Sequence, residues 1–255
     1  MQSPTTTSDA ERQGAMRFRS IETEVRPGGV GVVRLDRPAR LNALSAEMRR
    51  EISTCLAAWR DDTAVRAVVF TGSGRAFSAG FELDEFRDPR LHAEVLESST
   101  RYHRDVWYFP KPTVAAVNGL AVGGGFDLAV LSDLRIASEE AWFAHPELAN
   151  GAPPLFTPLR WIVGDAVARD LCLTRRRLGA LEAERLNLVT DVVGADELLG
   201  AAERLARRVL EAPADALRFT KDCMARSHGR DFDASFAEEH DRAFRELILR
   251  PERWR

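Results

Sequence analysis

Three consecutive glycines, Gly123 to Gly125, stand between a short apolar strand and an apolar stretch of helical character in the segment VNGLAVGGGFDLAVLSD. A chain can pass from strand to helix there with no Cβ in the way, so its backbone can come close to a ligand. The free N–H groups of a helix start, together with the macrodipole, favour negative charge. Such a junction suits a phosphate or a developing oxyanion; close helix–sheet packing accounts equally well for the glycines taken alone. The G-x-G-x-x-G spacing of a dinucleotide site is absent, and the run lies far from the first strand. No G-K-[ST] follows, which removes the P-loop.

The elements on either side imply an α/β chain. Val65 to Thr71 and Thr113 to Val117 are continuous apolar runs of the kind a parallel sheet buries on both faces. Gly31 to Leu35 and Leu134 to Ala137 read as further short strands. Ser45 can cap a helix whose Met48, Ile52, Leu56 and Trp59 recur at helical spacing, with Glu47 favourable in its first turn. A second helix spans about Leu91 to Phe109 and is ended by Pro110 and Pro112. Strand, loop, helix, strand thus recurs at the length of a βα crossover. The C-terminal third is helical, over Asp165 to Leu173, Ala180 to Leu186, Glu197 to Leu210, Ala214 to His228 and Phe232 to Leu249.

Bulk properties exclude several classes. With 255 residues, 45% of them apolar, the chain suits one large domain with a full core. Its net charge of −3, with both signs interspersed, is unlike a nucleic-acid surface, which shows a clustered basic face. Lys111 and Lys221 are the only lysines, so arginine carries nearly all the positive charge. Cys55, Cys172 and Cys223 are scattered and lack metal-ligand spacing, as buried thiols in a reducing compartment would be. No apolar stretch reaches the roughly 18 residues of a membrane helix, and the first residues lack the apolar run of a signal peptide. The expectation is a soluble, cytoplasmic protein without a metal or redox cofactor.

A second glycine loop, GRAFSAGFELDEF, turns at Ala79-Gly80-Phe81 after the strand that ends at Thr71. Four blocks now stand in order: LDRPARLNALS, FTGSGRAFSAGFELDEF, KPTVAAVNGLAVGGGFDLAVLSDLRIAS and FAHPELANGAPP. In sequence and spacing they resemble the crotonase, or enoyl-CoA hydratase/isomerase, superfamily over roughly residues 17 to 230. The resemblance implies a spiral of repeated ββα units with a helical C-terminal segment. The polar first residues read as a disordered tail (1–15), followed by a crotonase-like core (16–195) and a helical oligomerisation segment (196–255); the resemblance implies trimers or paired trimers. The partner it implies is an acyl-CoA thioester, with coenzyme A as part of the substrate and not a resident cofactor.

The same resemblance assigns roles residue by residue. The backbone N–H groups of Phe81 and Gly124 match the two donors of the family's oxyanion hole. Arg40, Leu41, Ala79, Gly80, Leu83 and Gly123 match the track of the coenzyme; Arg40 either meets a phosphate or stands as a solvated arginine. Glu147, in HPEL, and Asp127, two residues past the glycines, match the hydratase carboxylate pair that holds a water. Without the family, Asp127 would read as a first-turn acid and Glu147 as a loop carboxylate. His145 either orients Glu147, lines the pocket or is a structural histidine. Phe156 and Leu155 would narrow the acyl site, favouring an aromatic or cyclic acyl group.

The sequence departs from the family pattern at several points. Asp127 stands where hydratases carry Glu, which withdraws the carboxylate by about 1.5 Å. Asp84 replaces a lysine common among relatives, and the chain stops at RPERWR. Both weaken the implied nucleotide contacts and leave a carrier-protein thioester open. The expected reaction is hydration of an enoyl-CoA. The alternatives are isomerisation with Glu147 as sole base, hydrolysis or decarboxylation of an acyl-CoA through the same enolate, and a non-catalytic partner of the same fold.

Overall fold

The computed structural model describes residues 17–227 together with Gly229, Arg242 and Glu246. The disordered tail expected at the N-terminus and the helix expected over 232–249 lie wholly or mostly outside the described residues.

The chain winds as a spiral of ββα turns. The first turn is an antiparallel hairpin, β1 (Ile21–Arg26) and β2 (Val30–Leu35), followed by helix α1 (Ala46–Trp59). The second has β3 (Ala67–Gly72) and β4 (Ala76–Ser78), then α2 (Leu83–Arg87) and α3 (His92–Trp107). The third has β5 (Thr113–Val117), β6 (Leu120–Val122) and α4 (Gly124–Leu131). The fourth has β7 (Leu134–Ser138) and β8 (Trp142–Ala144), then α5 (Phe156–Val163) and α6 (Asp165–Thr174). After these come β9 (Leu178–Gly179), α7 (Ala180–Arg185), β10 (Val192–Val193), α8 (Leu198–Val209) and α9 (Ala214–Ser227).

In the second, third and fourth turns the first strand joins one sheet and the second joins another. The larger sheet runs β1-β2-β3-β5-β7-β10, the smaller β4-β6-β8-β9. From β2 to β10 the larger sheet is parallel. Its apolar runs are continuous because both faces are covered. Val68 and Phe70 of β3, with Ala115 and Val117 of β5, enter the main core beside α1 and α4. Val69 of β3, with Val114 and Ala116 of β5, meets Ala201, Ala202 and Ala206 of α8 on the opposite face. Period-two alternation within an all-apolar strand sends neighbours to different cores. The helix expected over Glu197 to Leu210 therefore packs on the sheet of its own chain.

Strands β4, β6 and β8 are three residues each, too short to show alternation, and they fill positions that the sequence presents as loops. Ser45 caps α1 as its position predicts, its side chain accepting from Met48 N at 3.2 Å.

One buried side chain ties the start of the spiral to its second turn. Asn42 is fully buried with a φ of 55°. Its Oδ1 accepts from Arg37 N (2.9 Å), and its Nδ2 donates to the carbonyls of Ser73 (2.9 Å) and Ala76 (2.8 Å). Asn42→Ala strands those backbone groups and puts alanine in a left-handed conformation. The expected loss is about 2–4 kcal/mol in the urea unfolding free energy. A loss below about 0.5 kcal/mol, the range of an inert surface change, would contradict this role.

Candidate active site

The loop that follows β4 is stitched to the segment before α1. Ala79 N donates to Leu41 O (2.9 Å), and Leu44 N donates to Gly80 O (2.8 Å). Ser78 Oγ donates to Asn42 O (2.8 Å) and accepts from Gly80 N (3.2 Å). Every neighbour of Phe81 in this loop has thus a backbone partner, whereas the Phe81 N–H has none among the described residues.

The glycine run supplies the facing wall. Gly123, with φ +53°, is the N-cap of α4, and its N–H donates to Ala144 O of β8 at 3.0 Å. Gly124 is the first helical residue, so its N–H has no intrahelical acceptor, and no other described group takes it. The two loops touch through backbone. A Cβ on Gly80 would stand 2.7 Å from Val122 O and 3.2 Å from Gly124 N, and one on Gly125 only 2.3 Å from Ser78 O. Side chains at these positions would force apart the two loops that carry the free amides.

The Phe81 ring lies against Gly124, where a Cβ would come within 2.8 Å of it. The Arg49 guanidinium sits 4.6 Å from the ring centroid, and the Phe86 ring stacks at 6.1 Å. Arg49 is completely buried. It donates to Leu44 O (2.5 Å), Ser98 Oγ (2.9 Å) and Glu85 Oε2 (3.2 Å), which satisfies the charge in place. Arg50, the other arginine of α1, is exposed, so burial distinguishes Arg49.

The carboxylates converge from two further elements. All eight residues of α4 are buried, which leaves Asp127 as a lone acid in an otherwise apolar helix, 7% exposed. Glu147 begins a short 3-10 turn, and a Cβ on Gly123 would lie 3.1 Å from its Oε1. His145, fully buried and stacked on Phe126 at 4.6 Å, brings Nδ1 to 3.1 Å from Glu147 Oε1. Its Nε2 faces Asp127 Oδ1 at 3.9 Å. Three of these atoms, Asp127 Oδ1, His145 Nε2 and Glu147 Oε2, are buried without a partner among the described residues. Polar atoms left open in this way mark a place where a small polar molecule can be held. His145 is thus both a buried histidine and the group that orients Glu147.

Burial raises the Asp127 carboxyl above its ordinary value, and the Glu147 carboxylate adds to the rise; the nearby imidazoles oppose it. Tyr102, buried with its hydroxyl unpartnered, is pushed well above the usual phenol range by burial and then by Asp127. Cys172 is raised to about 11 by burial and by both carboxylates, so it is an inert thiol bordering the site.

The remaining expected contacts are looser. Arg40 is half exposed and its guanidinium is already shared by Glu82 (2.6 Å) and Asp84 (2.8 Å), which hold it above its ordinary value. Leu83 is exposed at the start of α2. Phe156 opens α5, partly buried against the main core, with the Arg169 guanidinium 5.8 Å from its ring. Leu155 packs on the same core. A surface cleft of about 560 Å³ lies elsewhere, lined by Trp107, Tyr108 and Lys221 among others, and shares none of the groups above. Sequence reasoning missed His103 and Tyr102 of α3, Arg49 and Cys172; nothing in their spacing sets them apart.

Comparison with known proteins identifies the family. The family model for enoyl-CoA hydratase/isomerase matches residues 25–248. A Rhizobium meliloti protein named as a probable enoyl-CoA hydratase is 42% identical over 199 residues, 75% of this chain and 76% of that protein. The short-chain-enoyl-CoA hydratase of Clostridium acetobutylicum is 33% identical over 84% of each chain. Among solved structures, an enoyl-CoA hydratase subunit of Geobacillus kaustophilus superposes with a TM-score of 0.85 at 35% identity, covering 93% of both chains.

A raised carboxyl makes the folded protein bind its proton more tightly than the unfolded chain does. The contribution to stability is complete below the unfolded carboxyl value of about 3.9 and is lost as pH rises through the folded value. Asp127→Asn carries no such loss. The variant is expected to melt above the parent at neutral pH, with the gap closing toward about pH 4. A lower melting temperature at neutral pH would show that the ionised carboxylate stabilises the fold.

Proposed function

Because the chain is an enzyme of the enoyl-CoA hydratase/isomerase family, we propose that it adds water across the double bond of an enoyl thioester of coenzyme A. The observation that carries this reading is the meeting, among the described residues, of two unpartnered backbone amides with the buried Asp127 carboxyl and the partly buried Glu147 carboxyl, which flank His145 and each keep one unpartnered oxygen.

In this reading the thioester oxygen accepts from Phe81 N and Gly124 N, and those bonds strengthen as the oxygen gains charge on the way to the enolate. One such donor contributes about 3 kcal/mol to the transition state. The donors are backbone, so the Phe81 side chain is free to serve packing. Glu147 and Asp127 hold the water. One carboxylate accepts a proton as the oxygen attacks Cβ, while a proton passes from the other carboxyl to Cα. Coenzyme A enters and leaves as part of the substrate. Arg40, engaged by two acids, contributes less to the nucleotide than a free arginine would. Assembly into trimers or paired trimers, and a cytoplasmic location, belong to the same proposal. Among the described residues, no helix is long and apolar enough to cross a membrane.

A second reading is favoured by one feature. A short, raised Asp127 is a poor partner for Glu147, and an isomerase that shuttles a proton between the α and γ carbons needs Glu147 alone.

The test follows the enoyl absorbance of crotonyl-CoA. Hydration removes the band, and Glu147→Gln is expected to slow the loss by at least about 100-fold. A band that persists with crotonyl-CoA but grows from a 3-enoyl thioester would replace hydration by isomerisation. Release of free thiol would replace both by hydrolysis.

A further inference from the structure

Asp127 lies between two imidazoles that face its two oxygens. His145 Nε2 is 3.9 Å from Oδ1, and His103 Nε2 is 3.9 Å from Oδ2. The pair differ in access: the His145 side chain is 0% exposed and that of His103 is 23% exposed.

The tautomer of His103 follows from its other nitrogen. Nδ1 is 2.7 Å from the Ser99 carbonyl oxygen, which only accepts, so Nδ1 carries the hydrogen. Nε2 is the nitrogen left free to accept a proton, bare in the neutral ring and N–H in the cation. The ring is set edge-on to Tyr102 (5.1 Å) and to Phe81 (5.9 Å), which holds Nε2 toward Asp127. A separation of 3.9 Å is too long for a hydrogen bond, but a small side-chain rotation or one bridging water closes it.

The other groups facing Asp127 are poorer outlets for a proton. Tyr102, beside it on α3, is fully buried and faces Arg49 on its other side. His145, before the 3-10 turn, is sealed and already bonded to Glu147. Glu147 itself belongs to the proposed reaction. Cys172 of α6 is a thiol raised to about 11.

We propose that His103 is a positioning residue of this acid–base site, which shares one proton with Asp127 and carries it between the buried carboxyl and solvent. When Asp127 has taken a proton from the attacking water, its O–H bond breaks, the electron pair stays on the carboxylate oxygen, and an N–H bond forms at His103 Nε2. The imidazolium then releases that proton to bulk water, while Glu147, left ionised when its proton passed to Cα and 21% exposed, takes one back from bulk water; Asp127 is again a base, Glu147 again an acid, and the proton count is unchanged. The use of the proton rests on the hydration reading; the sharing of it between His103 and Asp127 does not.

The experiment therefore has two arms. In the first, ¹³C NMR follows the Asp127 carboxyl of the free protein through a pH titration, in the parent and in His103→Gln. The parent is expected to show a step at which the carboxyl responds to proton uptake by the neighbouring ring, as coupled groups do. The variant is expected to lose that step and to have its remaining transition displaced upward by about one pH unit because the cationic partner is gone. Identical titrations in the two proteins would overturn the proposal whatever the reaction proves to be. In the second arm, crotonyl-CoA hydration by His103→Ala is expected to fall by about 10–100-fold and to recover when imidazole is added to the buffer, while His103→Phe, which leaves no space, does not recover. Equal loss in both variants with no recovery would reduce His103 to a packing role. Absence of hydration in the parent would overturn the reaction and leave the first arm to decide the dyad.

Discussion

Everything in the site depends on a backbone contact between two loops. The segment Ser78 to Gly80 and the segment Val122 to Gly125 approach so closely that a single methyl group on Gly80 or Gly125 would collide with main-chain atoms of the opposite loop. That contact leaves two amides, Phe81 N–H and Gly124 N–H, without acceptors among the described residues. It forms where the second to fourth turns of the spiral send their second strands into one small sheet, in which β4 and β6 run side by side. Asn42 holds the turn leading into β4, and Arg49 backs the Phe81 ring, so both act on the same loop from behind.

The second constraint is electrostatic. Helix α4 is buried all round, and a carboxyl inside it cannot be well solvated. The fold accepts that cost at Asp127 and meets it partially, with an imidazole near each oxygen at a distance just too long for a hydrogen bond. Sites that need reactive groups often give up stability in this way. His145 couples this carboxyl to the second one, because its two nitrogens face Asp127 and Glu147 in turn. A charge change at either acid is therefore felt by the other.

Much of this was legible in the residues. The apolar runs of β3 and β5, the cap at Ser45 and the glycine junction before α4 are local signals, and the structure has each of them where the sequence puts it. The ββα spiral was reachable only through the resemblance carried by the four blocks, since three-residue strands leave no pattern of their own. The proximity of Glu147 to the glycines came by the same route. His103, Tyr102 and Arg49 were not legible. They face the site from α3 and α1, and helical periodicity says which face of a helix is buried, not what that face meets. The double ion pair of Arg40 was equally hidden, because Glu82 and Asp84 reach it across 42 and 44 residues of sequence.

The central claim is that the two free amides receive a thioester oxygen. It is tested most directly by a crystal structure with butyryl-CoA, a saturated thioester that binds without undergoing hydration. The account predicts a carbonyl oxygen at about 2.7–3.1 Å from both Phe81 N and Gly124 N, with Glu147 and Asp127 beside the α and β carbons. A bound thioester whose carbonyl lies away from both amides would contradict it.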